Sequence, residues 1–215
     1  MTNPTISWYG HDSFAIFDGQ TLIYIDPWQL PAGLLAGDIV LVTHEHADHC
    51  SLEDIHAISK PSTQVVAAAV CAEALASLSP RLVTPGDRLT IGPIQIDTVP
   101  AYNTNKFREP GKLFHPSGEQ RVGYIVSIGG QRIYHAGDTD HIPEMKNLRP
   151  DIALLPVSGT YVMTAEEAAA AARDIVPGTA VPMHYGRIVG TIDDANRFVT
   201  LISPSIKTII LPEKK

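Results

Sequence analysis

The segment Thr43-His44-Glu45-His46-Ala47-Asp48-His49 follows directly on an apolar run over residues 38–42. A run of that kind reads as a strand covered on both faces, so the histidines stand at the end of a buried strand. Side chains two apart on an extended backbone share a face. His44 and His46 can therefore point together, and the turn that follows can bring Asp48 and His49 round beside them. Imidazole nitrogen and carboxylate oxygen are preferred ligands for zinc and also suit manganese and iron. A histidine-rich surface loop needs neither this spacing nor a buried strand ahead of it. The chain must therefore open a polar, metal-binding edge onto a buried sheet.

The rest of the chain supplies sheets of that kind. Residues 5–8, 13–17 and 21–25 read as strands joined by tight turns, with Asp18-Gly19 a hairpin signal. Ser51 is a candidate N-cap for a helix after the histidines, with Glu53 and Asp54 in its first turn, where the helix dipole favours negative charge. Residues 65–68 are expected as a short strand and 70–78 as a small alanine-rich helix. Strands over 82–83, 88–91, 94–99, 123–128 and 132–134 continue the pattern. The second half then alternates strand and helix. A strand over 152–155 precedes Thr164-Ala165-Glu166-Glu167, a capping box opening an alanine-rich helix. A strand over 180–181, a helix over 193–202 and a last strand over 208–211 follow. Residues 101–119 show no period, and a loop of that length is usually functional or mobile. No linker or repeat divides the chain, so one domain over 1–215 is expected, an α/β arrangement of sheets with helices outside.

Composition narrows the function classes. Sixteen Lys and Arg against 23 Asp and Glu leave a formal charge of −7, which argues against a nucleic-acid partner. No apolar run approaches the roughly 20 residues that span a bilayer, so no membrane insertion is expected. Two cysteines cannot form a disulfide framework. With no basic and apolar leader at the N-terminus, a cytoplasmic protein is expected.

Four motifs in order carry a family resemblance. His44-x-His46-x-Asp48-His49 resembles the metal-binding motif of the metallo-β-lactamase superfamily. Asp26-Pro27 resembles its early aspartate, which supports the metal loop from behind. Residues 134–140, with Gly137-Asp138-Thr139 at their centre, resemble its late strand ending in a metal-bridging aspartate. Pro182-Met183-His184-Tyr185 resembles the strand end that gives the last histidine. Trp8-Tyr9-Gly10-His11-Asp12-Ser13-Phe14 is most similar to the compact metal-dependent hydrolases of that superfamily, related to ascorbate-6-phosphate lactonase and to phospholipases that cleave N-acylethanolamine lipids. The resemblance implies a four-layer αββα sandwich of two mixed β-sheets flanked by helices, with the metal site at one edge. It implies His44 and His46 on one metal, Asp48 and His49 on a second, Asp138 between them and His184 completing the second site. Zinc is the implied metal, with one or two ions per chain, and manganese or iron as alternatives.

The chain departs from that pattern at one position. Where the superfamily takes a third histidine for the first metal, the strand over 94–99 runs on to Asn103. An amide is a poor ligand beside imidazole, since its oxygen is uncharged and its nitrogen has no available lone pair. Either His115, on the long loop, folds back to replace it, or the first metal is weak and a single ion works alone. Asn103 can instead orient a water or substrate. His11 and His135 are read as residues supporting the site, and His141 as a residue bordering it. His56 reads as a solvated helix face. Cys50 is not read as a nucleophile, and Cys71 is read as core. Tyr102, Tyr161 and Tyr185 are candidate pocket walls, with Tyr185 or Arg187 able to stabilise charge on a substrate oxygen.

The expected activity is metal-dependent hydrolysis of a small ester, lactone or phosphodiester. Asp48 is the candidate catalytic residue, since its carboxylate can touch both a metal and a water proton. The chain carries no Gly-x-Ser-x-Gly elbow, P-loop or dinucleotide fingerprint. The alternative is a non-catalytic metal- or metabolite-binding module whose first metal site has degenerated at Asn103. A small molecule is the expected partner, and a homo-oligomer is open.

Overall fold

The computed structural model describes residues 3–215. The first sheet is built from β1 (Thr5–Trp8), β2 (Phe14–Phe17), β3 (Leu22–Ile25), β4 (Ile39–Val42), β5 (Gln64–Ala68) and β6 (Arg81–Val83), which lie side by side in chain order. Then come β7 (Arg88–Ile91) and β8 (Ile94–Pro100), a small hairpin of β9 (Phe107–Glu109) and β10 (Lys112–Leu113), and the antiparallel pair β11 (Val122–Ile128) and β12 (Gln131–His135). The last strands are β13 (Ile152–Pro156), β14 (Thr179–Met183) and β15 (Lys207–Thr208). The second sheet runs β15-β14-β13-β12-β11-β8-β7.

Both sheets are mixed, as expected, and in the same way. Hairpin-linked strands pair antiparallel at one side of each sheet, while β3 to β6 and β12 to β15 pair parallel. Parallel neighbours need a crossover. Helices α1 (Leu52–Ala57), α2 (Ala165–Ile175) and α3 (Ile192–Ile202) carry the connections β4 to β5, β13 to β14 and β14 to β15. Thr164 caps α2 by the expected box: its hydroxyl accepts from Glu167 N–H, and Glu167 accepts from Thr164 N–H.

Between the sheets lies one apolar core. Ile39, Val40, Leu41 and Val42 are all at most 1% exposed, as an unbroken apolar run requires. Each contributes roughly 1.5–3 kcal/mol by its burial. Tyr124 of β11 donates its hydroxyl proton to the carbonyl of Val42 at 2.8 Å, joining the two sheets at the residue before Thr43.

Three expectations are corrected. Residues 70–78 form no α-helix, only short 3₁₀ turns at Ala69–Cys71 and Ala76–Leu78. No side chain caps the first turn, and Ser79 takes a left-handed conformation ahead of Pro80, so helix cannot propagate. The last strand is confined to Lys207–Thr208. Beyond it the chain leaves the second sheet for the first, where Lys214 N–H reaches the carbonyl of Trp8 at 2.8 Å. The aperiodic segment 101–119 holds the hairpin β9–β10, whose strands are too short to show a pattern.

Candidate metal centre

Apart from His115, which comes from the 101–119 loop, the candidate metal-binding side chains and their supports stand where strands end at one edge of the stacked sheets. Asp26 follows β3, the segment 43–49 follows β4, Asp138 follows β12, His184 follows β14, and His11 and Asp12 fill the turn between β1 and β2. Several of these turns depend on unusual backbone. His11, Asp26 and His184 have φ of 50°, 47° and 59°, values that side-chain-bearing residues adopt rarely and mostly where the surroundings fix them. Gly137, at φ 64°, makes the turn that delivers Asp138, and a Cβ there would lie 3.0 Å from the carbonyl oxygen of Val122. Two cross-links close the edge: Val122 N–H to Thr43 carbonyl at 3.2 Å, and His184 N–H to His11 carbonyl at 3.1 Å.

The Asp138 carboxylate divides the site. Its Oδ1 faces His184 Nε2 at 3.4 Å and His49 Nε2 at 3.5 Å, while its Oδ2 faces His115 Nε2 at 3.6 Å and His44 Nε2 at 3.9 Å. On the Oδ2 side three imidazoles converge, with His46 Nδ1 3.1 Å from His44 Nε2 and 3.3 Å from His115 Nε2. These separations match the edges of a tetrahedral shell, which for metal–nitrogen bonds of about 2.0–2.1 Å are roughly 3.3–3.4 Å. On the Oδ1 side, His49, His184, Asp138 and Asp12 offer atoms all within 4.8 Å of one another. Asp48 Oδ2 lies 3.7 Å from His49 Nε2. His49 Nε2, His184 Nε2 and Asp138 Oδ1 are buried without a hydrogen-bond partner, a costly arrangement that a cation at their centre would resolve.

Hydrogen bonds behind the rings set which nitrogen faces inward. Thr43 donates its hydroxyl proton to Asp26 Oδ2 at 2.6 Å, so it accepts from His44 Nδ1–H at 3.0 Å. Asp26 Oδ2 also takes His49 Nδ1–H at 2.9 Å. Ser158 Oγ donates to the carbonyl of Thr160 and accepts from His184 Nδ1–H at 2.9 Å. In all three rings it is Nε2 that is thereby turned towards Asp138, and a hydrogen bond behind the ring of this kind raises ligand basicity at metal sites. Glu45, between His44 and His46, is clamped by the buried guanidinium of Arg121, which also holds Glu119.

The two sides differ in charge. Burial holds His44 well below its ordinary pKa, lowers His46 and brings His115 to about 4, so these rings are neutral near pH 7. Burial would lower His49 and His184 too, but the Asp138 carboxylate outweighs it and raises both. Asp138 itself is held well below the carboxylate range: burial opposes this, and the charges of His184 and His49 prevail. Asp48 falls to about 2, again against burial, because it accepts from His11 Nε2–H at 3.1 Å.

Asn103 does not face the metal-binding atoms. Its Oδ1 accepts from the backbone N–H of His115 at 2.9 Å, and its Nδ2 donates to the carbonyl of Tyr161 at 2.8 Å and to Asp140 Oδ1 at 3.2 Å. The amide therefore anchors the loop that carries His115. Asp140 helps by accepting from the N–H groups of Thr104 and Asn105.

Beside the two groups of ligand atoms opens a cavity of about 430 Å³, lined among others by Trp28, Asp48, Phe114, His115, Asp138 and Tyr161. Of the three candidate tyrosines, only Tyr161 is on its wall. Tyr185 packs on Trp8, with ring centroids 4.9 Å apart, and Tyr102 turns outward to Glu144. Arg187 is paired with Glu213 rather than facing the cavity, and His141 pairs with Asp174 away from it. His135 sits behind the site, donating from Nε2 to the carbonyl of Asp12 at 2.9 Å and accepting from Gly137 N–H at Nδ1. Sequence reading passed over Asp12, which is fully buried with both carboxylate oxygens unpartnered and whose Oδ2 is 3.7 Å from His49 Nδ1. Its place beside His11 was the available signal. For Thr43, Ser158 and the Glu45–Arg121 pair there was none.

Comparison with known proteins places this edge in a family. Residues 5–184 match the beta-lactamase superfamily domain. The chain belongs to the metallo-β-lactamase superfamily. Within the superfamily it falls among the UPF0173 metal-dependent hydrolases: it is 32% identical to one from Thermoplasma acidophilum, over 99% of this chain and 97% of the relative. The crystal structure of a protein from Parabacteroides distasonis, described as a metal-dependent hydrolase, superposes with a TM-score of 0.87 at 33% identity, covering 100% of this chain and 97% of that one. The metallo hydrolase Igni18 of Ignicoccus hospitalis shares the fold, with a TM-score of 0.78 at 24% identity over 100% and 97% of the two chains.

Proposed function

We propose that this chain, acting as one domain over 1–215, hydrolyses a small ester, lactone or phosphodiester at a two-cation centre. His44, His46 and His115 would hold one cation, and His49, His184 and Asp48 the other, with Asp138 shared. The observation that carries this reading is the divided Asp138 carboxylate, each oxygen facing a separate group of imidazole nitrogens. Zinc fits these donors, and manganese and iron are the alternatives. When bound, such cations supply a water acidic enough to act as nucleophile near neutral pH and an electrophile for the oxygen that gains charge.

The chain's own residues do the rest. Asp48 borders the cavity and stays ionised, so it can accept a hydrogen bond from the attacking water and orient it while His11 fixes the carboxylate. Asp26, Thr43 and Ser158 keep the histidine rings aimed. Trp28, Phe114 and Tyr161 form an apolar wall that excludes bulk water from the reacting end of a substrate. A non-catalytic module was suggested by the histidine missing at Asn103, and His115 stands in its place. Among the described residues no helix is long and apolar enough to cross a membrane.

Elemental analysis of the purified chain, with turnover of aryl ester, lactone and phosphodiester substrates, tests this reading. Two ions per chain and hydrolysis of one substrate class are expected. Asp138→Ala should lose both ions and activity. Asp138→Asn, which keeps the shape, should lower activity at least 100-fold while folding normally. Full activity in Asp138→Asn would remove the assignment.

A further inference from the structure

The cavity over the centre is read chemically by its walls. Its floor is His46, His115, Asp48 and Asp138, and its sides are Trp28, Phe114, Tyr161 and Ile188. Phe114 and Tyr161 meet edge to face with centroids 4.7 Å apart. Trp28 is held by the Arg187 guanidinium, 5.7 Å from its ring centroid, and by His11 at 5.5 Å. Two fixed aromatic surfaces and an aliphatic side chain suit a flat apolar body. About 430 Å³ lies in the lower part of the range for small-molecule sites.

The mouth carries a single arginine or lysine, Arg108 of β9. Its guanidinium lies 6.0 Å from the Phe114 ring centroid, a loose placement. Among the described residues no carboxylate pairs with it. The other arginines near the site are committed: Arg121 to Glu45 and Glu119, and Arg187 to Glu213. In a chain of net charge −7 with two carboxylates on the cavity floor, an uncommitted guanidinium at the mouth is placed to receive an anion from outside. Its planar donor fork suits a carboxylate or phosphate group.

We infer that the substrate is a small ester with a flat apolar body carrying one carboxylate or phosphate, which pairs with Arg108 while the bond to be cut lies at the centre. The reacting end rests on the hydrolase reading above; the anion and the body rest on the cavity alone. Calorimetric binding of phenol, 4-hydroxybenzoate and 4-hydroxyphenyl phosphate to the metal-loaded chain and to its Arg108→Ala and Arg108→Lys variants separates the two. The wild type is expected to bind one of the anions at least about 10-fold tighter than phenol. Which anion is preferred identifies the group. Arg108→Ala should lose that preference with phenol binding unchanged, and Arg108→Lys should keep part of it. A wild type that does not prefer either anion, or a preference that survives in Arg108→Ala, overturns the inference. In kinetics, the KM for 4-acetoxybenzoate should rise about 10-fold in Arg108→Ala with kcat retained, and that for phenyl acetate should not move. If no ester is turned over yet the anion preference disappears in Arg108→Ala, the hydrolytic reading fails and the anion site stands.

Discussion

Asn103→Ala tests how the centre is completed. The amide makes three hydrogen bonds in a buried setting, accepting from His115 N–H and donating to the Tyr161 carbonyl and Asp140 Oδ1. At about 1 kcal/mol net for each, their loss costs roughly 3 kcal/mol. For a chain of this size that is a fall in Tm of roughly 6–12 °C. The other cost is specific. His115 is one of three imidazoles around the Oδ2 side of Asp138, and Asn103 holds the backbone from which it projects. Loss of such an outer support costs about 10–100-fold in metal affinity. It should fall on one ion only, because none of the Asn103 bonds reaches His49, His184 or Asp48. Dialysis against a graded series of chelator concentrations, followed by elemental analysis, should show one ion released early from Asn103→Ala and the other retained as in the wild type. His115→Ala should release the same ion more readily still. If both variants hold two ions with wild-type affinity, His115 is not a ligand and the first group of nitrogens has been misread.

On the other side of the centre, Ser158→Ala removes the acceptor for His184 Nδ1–H and should weaken the second ion about 10–100-fold by the same chelator assay, leaving the first unchanged. Metal-free protein should lose stability on both sides of about pH 6.5. His115 and His11, each lowered to about 4 by burial, bind fewer protons folded than unfolded between those limits, so stability falls as pH drops from about 6.5 towards 4. His49 and His184 are raised, so their contribution is complete below about 6.5 and is lost as pH climbs through their folded values. A Tm of the chelator-treated chain that is flat from pH 4 to 6.5 would refute the acid side.

The parts of the site that could be read from the sequence are those that strands deliver. An apolar run ending in a polar motif says where the strand stops and which edge it reaches, which is why His44, His49, Asp26, Asp138 and His184 meet where their motifs place them. His115 obeys no such rule. It comes from an aperiodic loop, and what brings it back is a set of contacts distant in sequence: Asn103 and Asp140 gripping the loop backbone, and Lys106 bound to Glu167 at the start of α2. None of these leaves a period.

The tyrosines make the converse case. Tyr102 and Tyr185 each adjoin a motif residue, yet adjacency along the chain does not bring two side chains to one face: His184 sits in a left-handed turn at φ 59°, and Asn103 faces the loop rather than the metal-binding atoms. Tyr185 accordingly leaves His184 to face the centre and packs on Trp8, and Tyr102 leaves Asn103 behind it and turns to Glu144. Tyr161 reaches the cavity from no strand at all, through a left-handed turn at φ 68° whose carbonyl is held by Asn103. The same amide thus sets both a candidate metal ligand and a wall of the cavity. The position that departs from the family pattern therefore couples the completeness of the centre to the shape of the pocket above it, and substitutions at Asn103 should alter metal retention and substrate choice together.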